Sequence, residues 1–337
     1  FNTVLYDGNA TARNITTGFR PDWVWLKSRS NADHHQLFDV LRGAEERLYT
    51  SLNYAQSNNI QALTSFNSDS FSLGTDQYIN GSGKTYASWN WKANGTGSAN
   101  TDGSINSTVS VNTTAGFSIV SYTGNGTAGA TIGHGLGNVP KMIIIKQYSS
   151  NGGTENWGVY HQSLGNTDGL FLNTTGSTVG TNTFWNNTTP TSSVFTLGNS
   201  DVVNNNTVSY IAYCFAEKTG YSKFGKYTGN GNADGTFVYT GFKPAWVMFK
   251  KTNSATSADW QIQDAKRPSY NPLPYYLEAN TSNAEVDWTS NFPLDFLSNG
   301  FKFRSSGSQA NNSGDTYIYM AFGQSLVGSN NVPCTAR

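Results

Sequence analysis

One pattern recurs three times along the chain and limits its fold more than any other feature: glycine, a short lead to proline, an apolar run, then lysine. It reads Gly18-Phe-Arg-Pro-Asp-Trp-Val-Trp-Leu-Lys27, Gly137-Asn-Val-Pro-Lys-Met-Ile-Ile-Ile-Lys146 and Gly241-Phe-Lys-Pro-Ala-Trp-Val-Met-Phe-Lys250. Each copy is followed by a second marker, Phe71-Ser-Leu-Gly74, Phe195-Thr-Leu-Gly198 or Phe301-Lys-Phe-Arg304, and then by an aromatic run starting at Thr85, Ser209 or Thr316. Each is preceded by Tyr6-Asp-Gly-Asn9, Tyr122-Thr-Gly-Asn-Gly126 or Tyr227-Thr-Gly-Asn-Gly231. The order of markers is kept, so whole units are repeated. Roughly 100 residues separate the copies, the size of one sandwich domain rather than of a solenoid repeat.

Within a unit the apolar runs are short, rich in Val, Ile, Tyr, Phe and Trp, and punctuated by Asn-Gly, Asp-Gly and Ser-Gly, which predicts strands joined by tight turns. Proline at the start of each anchor run suits a strand entry, where a missing N–H costs little. The best helical periodicity lies between Gln36 and Leu52, yet its counterpart from Trp260 to Leu277 carries Pro268, Pro272 and Pro274, so two strands fit there as well. The expected architecture is all-β, with three tandem antiparallel β-sandwich repeats over residues 1–93, 116–219 and 220–326. A Gly/Ser/Asn/Thr-rich linker over 94–115, which reads as a flexible or edge-strand connection, and a tail over 327–337 complete it. Each module is expected to own its core and to stand end to end with the next.

Charge and cysteine content narrow the function. Lysine and arginine total 21 against 21 acidic residues, and charged residues are 12% of the chain, so neither nucleic acid nor an anionic membrane is an expected partner. The longest apolar run, Met142 to Ile145, is strand-sized, which predicts no transmembrane helix and no membrane insertion. Residues from Phe1 onward lack the basic and long apolar regions of a signal peptide. With 19 Phe, 18 Tyr and 9 Trp the chain is no disordered polar tract. Cys214 and Cys334 cannot form a disulfide framework or a zinc site, and no metal or other cofactor is expected.

Catalytic signatures are missing. The four histidines, His34, His35, His134 and His161, are scattered over different units, no G-x-S-x-G occurs, and the dispersed acids suggest no carboxylate pair, not even Glu155 with Asp168. The expectation is a protein that is not an enzyme. Asp39 with Arg42 and Asp264 with Arg267 share the spacing D-x-x-R in the first and third units, which reads as a structural ion pair holding a turn; the second unit, around His161 to Leu164, lacks it. Trp157, Trp185 and Trp288 sit among residues able to hydrogen-bond sugar hydroxyls, so they are the candidate glycan-binding rings, against the alternative that they pack beneath their own loops.

The repeated segments resemble a family of phage virion proteins, found among marine and cyanobacterial viruses, built from an uncharacterised β-rich repeat of concanavalin-like or SPRY-like appearance. The resemblance runs over nearly the whole chain and rests on the anchor motif from Gly18 to Lys27, Leu37-Phe-Asp-Val-Leu-Arg-Gly43, Phe66 to Gly74, Asn80 to Tyr86, Gly133-His-Gly-Leu-Gly137 and Tyr210 to Glu217. It implies a structural component exposed on a bacteriophage particle, as a tail fibre or spike head or as a capsid decoration. Its partners would be other virion proteins and a host cell-surface glycan, with trimeric homo-oligomers by analogy with phage fibres. No enzymatic residues carry over. A secreted lectin-like carbohydrate-binding module and a polysaccharide depolymerase are the competing readings.

Overall fold

A computed structural model describes residues 1–180, 182–253, 258–268, 270–288 and 293–323, and the protein is all-β. Three large antiparallel sheets follow one plan. In the first, the strand order is Asn2–Asp7, Thr85–Trp91, Trp23–Ser28, Gln36–Asp39, Gly43–Leu48, Ser57–Asn58. The third repeats it with Ser222–Thr228, Thr316–Gly323, Pro244–Lys251, Gln261–Asp264, Tyr275–Glu278 and Val286–Asp287. The second repeats it with Phe117–Thr123, Ser209–Phe215, Met142–Gln147, Gly158–His161, Asp168–Phe171 and Val179–Gly180, and adds Ser98–Asn100 and Ser107–Asn112 at one edge. The stretch with partial helical spacing is therefore two strands, Gln36–Asp39 and Gly43–Leu48, with Gly43 at a φ of 103° beside the turn between them.

The segment over 94–115 takes the edge-strand form of the expected connection. Its two strands extend the second large sheet, with Val109 paired to Val120 and buried, so alternate side chains have a face to cover. The short tie from Glu217 to Gly225 turns at Lys218 to Ser222 and enters the third sheet directly. The tail over 327–337, with Cys334, lies outside the described residues.

Each large sheet is backed by a small one: Arg13–Thr16, Ser70–Leu73 and Leu63–Phe66 in the first unit, Thr131–Gly133 and Val194–Thr196 in the second, Phe237–Tyr239, Gly300–Phe303 and Leu294–Leu297 in the third. Between the layers lie three separate cores, exemplified by Val24, Leu26 and Phe71, by Ile143, Ile145 and Phe195, and by Val247, Phe249 and Phe301. Repeated polar fasteners hold each sandwich. Tyr6 stacks on Tyr86, Tyr122 on Tyr210 and Tyr227 on Tyr317. A buried asparagine, Asn80, Asn204 or Asn311, accepts the backbone N–H of Asn9, Asn125 or Asn230. The Tyr…Asn marker ahead of each anchor run thus supplies one ring and one clamped turn per unit.

Each unit does own a core, but the end-to-end arrangement is corrected by a fourth cluster that crosses the unit borders. Trp23, Trp25, Trp89 and Trp91 of the first sheet join Phe117, Met142, Ile144, Tyr213 and Phe215 of the second and Trp246, Met248, Met320 and Phe322 of the third. Strand alternation explains it: on Trp23–Ser28, Val24 and Leu26 enter the sandwich, while Trp23 and Trp25 belong to the shared core. A continuous apolar run such as Trp-Val-Trp-Leu is what a strand buried on both faces requires, and a sandwich alone covers only one.

Candidate functional site

The three sheets meet in a closed ring, shown by one backbone hydrogen bond repeated at each seam. The residue before the sixth strand donates to the carbonyl just after the anchor strand of the next unit: Gln56 to Tyr148 at 3.0 Å, Thr178 to Thr252 at 3.1 Å, Glu285 to Arg29 at 2.7 Å. The direction is first to second, second to third, third to first. Side chains follow the reverse circuit. The Trp157 indole N–H of the second unit reaches the Tyr49 and Leu52 carbonyls of the first at 3.0 Å, and Trp260 of the third reaches Phe171 of the second at 2.9 Å. At the matching place in the first unit stands His35, buried, taking the Trp25 indole N–H on Nδ1 at 2.8 Å. Burial holds its imidazole well below the usual range.

The lysine that closes each anchor run is buried at a seam. Lys146 Nζ donates to Asn53 O across the seam and to Glu155 O; Lys250 Nζ donates to Thr175 O across the next seam and to Ala258 O; Lys27 Nζ donates to Ser28 O and Asn31 O. Burial outweighs nearby acids and pulls Lys27 and Lys146 down to about 7 and Lys250 to about 8. The sequence pattern contained these lysines, but nothing in the spacing said that they point inward.

The D-x-x-R pairs sit at the other end of the seams. Asp39 is paired across the sheet with Trp23, Asp264 with Trp246, and the equivalent residue beside Met142 is His161. Arg42 Nε meets Asp39 Oδ2 at 2.6 Å and Arg267 Nε meets Asp264 Oδ2 at 2.7 Å, with both pairs buried. In each turn Oδ1 also accepts two backbone amides, from Leu41 and Arg42 or from Lys266 and Arg267. Each carboxylate further receives a donor from a neighbouring unit: the Tyr213 hydroxyl at 2.7 Å for Asp39, the Trp89 indole at 3.1 Å for Asp264. These residues therefore fasten units to one another as well as holding a turn, a role that local spacing does not reveal.

The candidate glycan-binding tryptophans are not brought together. Trp157 is 0% and Trp185 1% exposed, one in the shared core and one in the second sandwich, so neither ring presents a face to solvent. Trp288 is half-buried, with its ring 4.3 Å from that of Tyr276. Burying a large ring whose N–H has a carbonyl to meet, as at Trp157, is the favoured outcome for tryptophan in a core. Among the described residues no group of three His, Cys, Asp or Glu is placed to hold a metal ion. Cys214 is buried with its thiol pushed up by desolvation.

The small sheets face outward, and there the three units differ. Ile15, Ile132 and Val238 are the buried centres of the equivalent strands Arg13–Thr16, Thr131–Gly133 and Phe237–Tyr239. Their flanking residues are Asn14 and Thr16 in the first unit, Thr131 and Gly133 in the second, and Phe237 and Tyr239 in the third, the last two 43% and 63% exposed. The Phe237 ring lies against bare backbone, since a Cβ on Gly300 would come within 2.9 Å of it. Beside it Lys302 pairs with Asp234 at 2.6 Å, and Arg304 with Asp295 at 2.5 Å.

A family model, Domain of unknown function (DUF7483), matches residues 1–325, and the chain belongs to that family. A single match thus spans all three sheet pairs. No curated protein and no solved structure matches the chain.

Proposed function

We propose that this DUF7483 protein is a non-enzymatic structural protein of the bacteriophage particle surface, serving in assembly and in attachment to the host. Two things support the reading. The repeated motifs resemble those of phage virion proteins, and the buried polar chemistry along the seams is engaged in holding three sheet pairs together. The observation that carries the attachment role is the contrast among the small sheets. The same strand is completed by small polar residues or glycine in the first two units, so the fold does not demand Phe237 and Tyr239; left 43% and 63% exposed, the two residues forgo roughly half of the about 1.5–3 kcal/mol that full burial of each contributes. Rings laid on a rigid sheet, rimmed by ion-paired Lys302, Asp234, Arg304 and Asp295, suit a sugar's C–H face and its hydroxyls.

Adsorption of the purified protein to host cells tests this, comparing the parent with Phe237→Ser/Tyr239→Ser. Retained fold with lost adsorption supports it; undiminished adsorption of the double variant removes the platform. Immunolabelling of particles tests the location, and absence of label from intact virions removes the virion role. A secreted lectin uses the same platform, and glycan binding without particle labelling would favour it.

A further inference from the structure

The three seams are not equivalent at the station beside the anchor strand, and the difference is chemical. Two are fastened by a carboxylate and guanidinium, while the seam between the second and third units has His161 with Leu164 where the others have Asp and Arg. His161 is buried, and its ring takes the carboxylate's place in neutral form, keeping the turn amide contact and reversing the direction of the bond across the seam. Nδ1 accepts the Ser163 N–H at 3.2 Å, as Asp39 Oδ1 accepts Leu41, and Nε2 lies 3.2 Å from the Tyr319 carbonyl of the third unit. A carbonyl only accepts, so Nε2 carries the proton and Nδ1 does not.

We propose that His161 makes the junction between the second and third units an acid-sensitive seam: protonation of Nδ1 sets two N–H groups against each other and opens this seam ahead of the one between the first and second. Nothing nearby compensates the charge. The ring is held down to about 4 by burial, opposed only by the Tyr319 carbonyl. The titratable side chains on the elements around it, Lys141 before the paired strand, Asp168 on the adjoining strand, the Tyr319 phenol, Glu217, and Lys223 in the first strand of the third sheet, exert no shift on it. The sign is fixed by these positions. An imidazole released to water takes its proton near 6.5, so in the window from about 6.5 down to about 4 the open seam binds a proton that the closed one refuses, and acid favours opening.

The equivalent amides of Gln56, Thr178 and Glu285 each cross one seam and report on it separately by hydrogen exchange. After correction for intrinsic exchange, lowering pH from 7 to 5 should reduce protection at Thr178 on the order of 10-fold. Gln56 should hold, whereas Glu285 shares its seam with the buried His35 and is not the control. His161→Gln keeps a neutral N–H donor toward Tyr319 and should abolish the Thr178 response while leaving its protection at pH 7 within about twofold. The inference is overturned if Thr178 and Gln56 lose protection together, or if the acid response of Thr178 survives in His161→Gln.

Discussion

Replacing Arg42 by leucine tests the logic of the seams, because the molecule contains its own control. Arg42 and Asp39 have side chains 1% and 0% exposed, so Arg42→Leu leaves a buried carboxylate with the Leu41 and Arg42 amides and the Tyr213 hydroxyl but no cation. Breaking a buried pair in this way costs about 3–5 kcal/mol. The second unit nevertheless builds the same station from His161 and Leu164. Asp39→His/Arg42→Leu should therefore recover part of the loss: Nδ1 takes the Leu41 amide, Nε2–H faces the Tyr213 oxygen, and no unpaired charge remains. What is still missing is Arg42's donation to the Leu37 and Glu46 carbonyls, about 1 kcal/mol each. The double variant should thus lie about 1–3 kcal/mol above the single one, a shift of about 0.3–1 M in urea midpoint for a slope of about 3 kcal/mol/M. Urea unfolding followed by tryptophan fluorescence measures it. A double variant as unstable as Arg42→Leu would refute the claim that the two stations are interchangeable solutions.

Four further outcomes rest on the buried groups and the shared core. Lys27, Lys146 and Lys250 are held near 7 to 8 when folded against 10.4 in an unfolded chain, so the unfolded state binds more protons between those values and stability should rise from pH 7 to about pH 9.5; urea midpoints across that range check it, and Lys146→Met should flatten the slope. Above about pH 10 the trend should reverse, because Tyr86 and Tyr317, raised to about 12 in the fold, ionise earlier once unfolded. Residues 1–93 expressed alone would leave Trp23, Trp25, Trp89 and Trp91 uncovered on one sheet face, so size-exclusion chromatography should find no stable monomer, and a well-folded monomer would contradict the shared core. Trp260→Phe should cost roughly 1–3 kcal/mol through loss of the bond to Phe171, read as a lower urea midpoint.

The strands, their turns and the repeat were legible because they rest on local rules: alternation, turn residues and proline placement act over a few positions. The ring was partly encoded too. Trp23, Val24, Trp25 and Leu26 form a run apolar at every position, which fits burial on both faces better than a sandwich with one solvated face. What covered the second face depended on contacts such as Tyr213 with Asp39, 174 positions apart, and no periodicity reports such a pairing. The same limit misplaced the tryptophans. Polar neighbours around Trp157 looked like a wet site, but they lie in the loop ahead of Gly158–His161, and the ring leaves that loop for the shared core, where its N–H meets the Tyr49 and Leu52 carbonyls. Phe237 and Tyr239 carried a usable signal, since aligning the small-sheet strands shows aromatics where the other units have Asn, Thr or Gly.

Internal repetition also changes what asymmetry means. In a ring of three equivalent sheets every departure from equivalence is visible against two built-in references, so residues that the fold needs can be separated from residues it merely permits. Tyr86, Tyr210 and Tyr317, with Asn80, Asn204 and Asn311, occur in all three units and belong to the first class. His161 at a seam and Phe237 with Tyr239 on an outer sheet occur once each and belong to the second. Three-way packing is achieved here inside one chain, because the apolar faces of all three large sheets cover each other. A fused ring gains what a homotrimer cannot have: each position is free to differ between units, so one seam can titrate and one face can carry exposed rings without imposing either feature on the other two.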